Sequence, residues 1–128
     1  MLHGRNRNKF GVAPREDRTW QGRIYASKAE MVYAQYLQLL KDAGEIADFA
    51  EQPTVELGIP ENKYRPDFYV TPGGPDQPYY VDVKGHETAA FKKNKRLWKR
   101  YGACALVIVK RRRGRFFVIE SIHPKEQP

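Results

Sequence analysis

Two carboxylates and a lysine stand out as residue types that could act together on a phosphodiester. Asp67 follows a proline in Tyr64-Arg65-Pro66-Asp67-Phe68-Tyr69-Val70, and Asp82 and Lys84 occur in Tyr79-Tyr80-Val81-Asp82-Val83-Lys84-Gly85. Both stretches read as β-strands. Each therefore sets an acid among apolar side chains, where an ionised carboxylate is costly unless paired, hydrogen-bonded or metal-bound. Residues two apart on a strand share a face, which puts Lys84 beside Asp82. Hard divalent ions such as Mg2+ take oxygen ligands. Asp67 and Asp82 could hold one or two such ions, with the Val83 carbonyl as a further ligand. Ions held there would polarise a phosphate, activate a bound water and shield charge on the leaving oxygen. Lys84 would orient or deprotonate that water, or stabilise the pentacovalent phosphate.

Each residue also has a plainer reading. Asp67 could be a strand-edge acid facing water. Asp82 and Lys84 could form a solvent-facing pair of little energetic value. Upstream, Ser27-Lys28-Ala29-Glu30 matches the S-x-x-E capping box, in which Glu30 reaches back to the Ser27 N–H. The alternative is that this first helical turn faces the acidic strands and offers Glu30 as a third carboxylate. A zinc site has no support: His3, His86 and His123 are dispersed, and the single cysteine, Cys104, sits in an apolar run and reads as a buried small hydrophobe. His86 reads as a surface loop residue close to the acids.

The elements that must position these groups follow from periodicity. A helix is expected from Ser27, with Val32, Tyr33, Tyr36, Leu37, Leu39 and Leu40 at helical spacing and Gly44 as its stop. Ile46 to Phe49 and Thr54 to Ile59 read as strands. Pro60 to Lys63 reads as a turn into the strand Tyr64–Val70, which Pro66 confines to an edge or a bulge. Thr71 to Pro78 is a loop, and Tyr79 to Lys84 the next strand. Thr88 caps a second helix, Ala89–Tyr101, ended by Gly102. Ala103–Val109 is a central strand, and the Arg111-Arg112-Arg113-Gly114 turn leads into a last strand, Arg115–Ile119. A helix between two strands implies a right-handed crossover and at least one parallel pair. The expected fold class is α/β: a mixed central β-sheet flanked by helices.

Composition sets the frame. The 128 residues suffice for one domain, and a hydrophobic content of 41% is that of a globular chain. The expected division is a basic flexible arm over 1–19, a folded domain over 20–122 and a tail over 123–128. The formal net charge of +8 points to an anionic partner. No apolar run approaches the roughly 18 residues of a membrane span, and no signal peptide or basic amphipathic anchor is visible. Nucleic acid is thus the expected partner, no membrane is expected, and one cysteine fits a cytoplasmic setting.

Basic residues cluster three times. Lys92, Lys93, Lys95, Arg96, Lys99 and Arg100 surround an apolar stripe of Phe91, Leu97 or Trp98, and Tyr101 on the second helix. Arg111, Arg112 and Arg113 form a basic turn, and Arg5, Arg7 and Lys9 a basic arm. No base-reading module is present, so binding through backbone and shape, weakened by salt, is expected.

Taken in order, Ser27-x-x-Glu30, Glu51-Gln52-Pro53, Arg65-Pro66-Asp67-Phe68 and Asp82-Val83-Lys84-Gly85 resemble the PD-(D/E)XK nuclease superfamily, and within it the small phage Holliday junction resolvases of the endonuclease I type. The resemblance runs from about Ile24 to Val109. It implies a restriction-endonuclease-like core, a metal site of Glu30, Asp67 and Asp82, a catalytic Lys84, and Gln52 with Ser27 in supporting roles. It further implies Mg2+ as cofactor, with Mn2+ able to substitute, a homodimer, and a phage or bacterial origin. Asp82 stands where the superfamily more often has Glu, a replacement its motif permits. The expected function is therefore Mg2+-dependent, structure-selective endonuclease action on branched DNA, foremost Holliday junction resolution. The alternatives are a nicking or restriction-type nuclease on duplex, flap or fork DNA, and a non-catalytic DNA-binding module on the same fold.

Overall fold

In the computed structural model, residues 12–125 are described. A 3-10 helix, Arg15–Arg18, leads into the short strands β1 (Thr19–Trp20) and β2 (Arg23–Ile24). Helix α1 (Lys28–Asp42) follows, then β3 (Ile46–Glu51), β4 (Val55–Leu57), β5 (Ile59–Tyr64), β6 (Phe68–Pro72) and β7 (Tyr79–Val83). Helix α2 (Ala89–Tyr101) crosses to β8 (Leu106–Arg112), and β9 (Arg115–Ile122) closes the order.

Five strands form one mixed sheet in the order β3-β6-β7-β8-β9. Only β7 and β8 are parallel, as expected for strands joined by a helix; the other neighbours run antiparallel. Strand alternation gives each face its own core. Phe68, Val70, Val81, Val83 and Val109 pack with Met31, Tyr33, Ala34 and Leu37 of α1. Leu106, Ile108 and Ile122 pack on the opposite face with Phe91 and Trp98 of α2 and with Leu57 and Tyr64 of the β4–β5 hairpin. The fold is thus a mixed α/β sandwich. Among the described residues, no helix is long and apolar enough to cross a membrane.

Both helices start where their caps predict. Ser27 Oγ accepts the Glu30 N–H at 3.1 Å, and Thr88 Oγ1 accepts the Phe91 N–H at 3.1 Å. Gly102 ends α2 for a steric reason: a Cβ there would stand 2.5 Å from Trp98 Nε1. The Trp98 ring is fully buried at that spot and its Nε1 donates to the Cys104 carbonyl at 2.8 Å.

Several strand boundaries differ from the sequence reading. Pro60 to Lys63, expected as a turn, lie inside β5; the turn is at Gly58, whose φ of +89° suits glycine. The expected strand Tyr64–Val70 is two strands in two sheets. Pro66, which has no N–H and is fully buried, falls in the break between β5 and β6. Thr71 and Pro72 extend β6 rather than opening a loop, and β9 continues past Ile119 to Ile122. Ala103 to Ala105 precede β8, and Cys104 is only half-buried. Residues 15–19, read as part of a basic arm, carry the 3-10 helix and the start of β1, and Arg18 bonds the carbonyls of Ala13 and Tyr25. Arg5, Arg7, Lys9 and His3 lie outside the described residues.

Candidate active site

The acids gather at the carboxyl end of β7. Asp82 is 3% exposed, on the strand face that looks toward α2 and the β4–β5 hairpin. Lys84, two residues on, turns back over it: Nζ lies 3.0 Å from Asp82 Oδ1. The same ammonium stands 3.8 Å from the centroid of the Phe91 ring, a cation–π contact made from the helix side. The second carboxylate oxygen, Oδ2, accepts a hydrogen bond from the hydroxyl of buried Tyr64. The solvent-facing Asp–Lys pair is therefore excluded, because the aspartate is buried.

Asp67 reaches the same place from the break after β5. Strand β6 pairs with β7 only as far as Phe68 opposite Val81, so the Val83 N–H has no strand partner on that side. Asp67 Oδ2 accepts it at 2.7 Å. The Asp67 carbonyl in turn accepts the Gln52 N–H at 2.9 Å, and Gln52 adopts a left-handed φ of +50° at the end of β3. Gln52 thus supports Asp67 through its backbone. Glu30, 6% exposed on the first turn of α1, brings its carboxyl into hydrogen-bonding contact with Asp67. Ser27 caps the helix, and the Glu30 side chain turns to the acids.

Burial pushes the Asp67 carboxyl well above the usual carboxylate range. The nearby charges of Asp82 and Glu30 and the bond to Glu30 raise it further, and the Val83 N–H opposes them. Negative charge is in excess here, and a divalent cation would relieve it. Among the described residues, no group of three or more His, Cys, Asp or Glu side chains already stands in ligand geometry. Oxygens that an ion would need are engaged by Lys84, Tyr64 and the Val83 N–H. The hard-oxygen donor set of Glu30, Asp67, Asp82 and the Val83 carbonyl nonetheless fits Mg2+ in type.

A cleft of about 680 Å³ opens beside these groups, lined by Val12, Ser27, Glu30, Val83, Lys84, Gly85, His86 and Thr88. A larger groove, about 990 Å³, runs past Tyr33, Tyr79, Cys104, Val107 and Val118. It contains none of the acids and is apart from this chemistry.

The parallel register extends the site outward. Val83 pairs with Val109, and the Lys84 N–H donates to the Val109 carbonyl at 2.8 Å. Arg111 to Arg113, next along β8, therefore project from the same sheet end as Lys84. The hairpin turns at Arg113 and Gly114, with φ of +50° and +78°. On α2, Lys92, Lys93, Arg96, Lys99 and Arg100 are exposed. Arg100 also bonds the Tyr101 hydroxyl. Lys95 departs from expectation: its Nζ is 3.0 Å from both Glu87 and Glu120, so it links three elements internally.

The sequence pattern of one protein family matches residues 16–113. The chain belongs to the DUF1064 family, described as a protein of unknown function. No curated protein and no solved structure matches it. All four candidate catalytic residues of this DUF1064 member, Glu30, Asp67, Asp82 and Lys84, fall within the family match, as do α2 and the Arg111–Arg113 turn.

Sequence reasoning missed two contributors. One continuous strand Tyr64–Val70 would set Tyr64 an odd number of residues from Asp67 and hence on the opposite face. Only the break at Pro66 turns its hydroxyl to Asp82. Glu51 was noted as part of a motif, with no partner assigned. Its Oε2 is buried 3.2 Å from Arg23 Nε, close enough for an ion pair though not aligned for a hydrogen bond. Burial first, and then a hydrogen bond to Glu51, raise the Tyr25 hydroxyl beside it above its ordinary range.

Proposed function

We propose that this DUF1064 member is a Mg2+-dependent, structure-selective DNA endonuclease that acts on branched DNA as a Holliday junction resolvase. One observation carries the reading: buried Asp82, Lys84 at 3.0 Å and the Asp67–Glu30 pair converge around Val83, beside a cleft that Glu30, Val83 and Lys84 line. Three acids and a lysine so arranged suit hydrolysis of a phosphodiester. Glu30, Asp67 and Asp82 would hold the ion, which supplies Lewis acidity and an activated water. Lys84 faces the cleft end of Asp82, where its ammonium can orient the attacking water or meet charge that develops on the phosphate. The Val83 N–H holds the Asp67 carboxyl beside Val83. Exposed cations on α2 and on the β8–β9 hairpin flank the opening and favour a polyanion, bound through its phosphates.

The restriction-endonuclease-like core belongs to the same proposal. The antiparallel β6–β7 pair, with Asp67 just before it and Asp82 near the end of β7, and the α2 crossover to parallel β8 support it. Two coordinated cuts at a junction call for two active sites, so we extend the proposal to a homodimer, which sedimentation at micromolar concentration checks.

The deciding assay compares a four-way junction with a linear duplex of the same sequence in Mg2+. Preferential, paired cutting of the junction supports the resolvase. Cutting of both alike would shift the reading to a duplex nuclease. A third reading, a binding module without catalysis, is favoured by the two protein donors that already satisfy Asp82. Junction binding with no cleavage in Mg2+ or Mn2+ would select it.

A further inference from the structure

Both oxygens of Asp82 have partners, but the partners differ in kind. Lys84 is a long side chain, 22% exposed, at the edge of the cleft, and can swing away. Tyr64 cannot. It is 7% exposed, its backbone pairs with Val55 in the β4–β5 hairpin, and its ring meets Trp98 edge-on at 5.9 Å and 85°. Phe91 tilts against it at 6.4 Å. The hydroxyl lies on the ring axis, so even a ring flip leaves Oη in place. This fixed donor occupies Asp82 Oδ2.

The geometry points to Tyr64 as the residue that positions Asp82: its hydroxyl retains Oδ2 on the protein side and directs Oδ1 to the cleft, where Lys84 now stands and where a divalent cation would be held. The inference rests on the metal-site reading above and deepens it, because it names the oxygen that meets the ion and the group that selects it. Terminal carboxylate torsions are broad, so a carboxylate without such a donor samples orientations that present neither oxygen well. Outer partners of this kind set ligand orientation, and their removal typically lowers metal affinity or activity by about 10- to 100-fold. Phe91 serves both partners: its ring packs against that of Tyr64 and receives the Lys84 ammonium.

The test is Mn2+ binding, followed by electron paramagnetic resonance on the full chain without DNA, for the wild type, Tyr64→Phe, Asp82→Asn and Leu106→Ala. Thermal unfolding of each is measured in chelator. Tyr64→Phe keeps the ring packing and removes only the hydroxyl. Leu106 is fully buried in the same apolar cluster but pairs with Tyr80, away from the carboxylate, so Leu106→Ala reports loss of packing alone. The expected result is a roughly 10- to 100-fold weaker Mn2+ affinity in Tyr64→Phe, near-native affinity in Leu106→Ala, and none measurable in Asp82→Asn. The Mg2+ concentration for half-maximal cleavage should rise in parallel in Tyr64→Phe, with the KM for DNA unchanged at saturating Mg2+. Unaltered Mn2+ affinity in Tyr64→Phe, beside its loss in Asp82→Asn, overturns the role of Tyr64 and leaves the metal site standing. Equal weakening in Tyr64→Phe and Leu106→Ala overturns it too, because packing alone would then account for the effect. A wild-type chain that binds no Mn2+ overturns both readings together.

Discussion

Asp67 Oδ2 accepts the backbone N–H of Val83 at 2.7 Å, two residues past Val81, where β7 last pairs with β6. The side chain thus continues a ladder that the backbone has abandoned at Pro66. A structural hydrogen bond and a cluster of acids meet in one residue, which makes Asp67 costly to ionise and costly to remove.

That tension has a pH signature. Burial and the charges of Asp82 and Glu30 raise the Asp67 pKa in the folded chain. Between the unfolded value, near 4, and the higher folded value, the native state binds more protons, so stability falls as pH rises through this window. Asp67→Asn keeps an acceptor for Val83 and cannot ionise. In chelator, it should be more stable than wild type at neutral pH and little different at pH 4. Thermal denaturation across pH 4 to 8 checks this; a difference independent of pH would refute it. Added Mg2+ should reverse the ranking by stabilising only the wild type.

Lys84 and Asp82 should be indispensable for cutting and dispensable for holding DNA. Asp82→Asn and Lys84→Ala are expected to lower junction cleavage by at least about 100-fold. Binding measured in chelator should stay within a few-fold. Cleavage at near-native rates by both variants would move the site elsewhere.

The cations should divide by their partners. Lys92→Ala and Arg112→Ala should each weaken DNA binding and lower the slope of log affinity against log salt by about one. Lys95→Ala should leave that slope unchanged, because Glu87 and Glu120 hold its ammonium. It should instead lower stability by no more than about 1 kcal/mol, as partly exposed pairs do. Salt titrations of the three variants side by side separate the two classes.

Gly102 is expected to tolerate no side chain. Gly102→Ala places a Cβ 2.5 Å from Trp98 Nε1 and 2.7 Å from its Cδ1. Overpacking of this sort typically destabilises by about 1 to 3 kcal/mol, readable as a lower urea midpoint. Since Trp98 backs Tyr64, the variant should also impair Mn2+ binding at temperatures where it stays folded.

Much of this arrangement was legible because it is local. Ser27 and Thr88 announce their helices by cap chemistry, and Asp82 and Lys84 share a face through the two-residue strand period. The parallel β7–β8 pair follows from the helix between them. What stayed hidden depends on contacts distant in sequence. The chain changes sheets at Arg65–Asp67, and nothing local separates such a change from a bulge. Tyr64 could therefore not be assigned to Asp82. Lys95 looked like its neighbours on a basic helix until Glu87 and Glu120 came from a loop and from β9 to meet it.

The β8–β9 hairpin begins its overhang one residue past the Val83–Val109 pair and turns on Arg113–Gly114. Its strands pair only with each other there, and Phe116 ties the overhang back to the core, its ring edge-on to Tyr33 at 4.9 Å. On the proposed nuclease reading, the reach of this cationic finger beyond Phe116 would set the width of polyanion that the site admits.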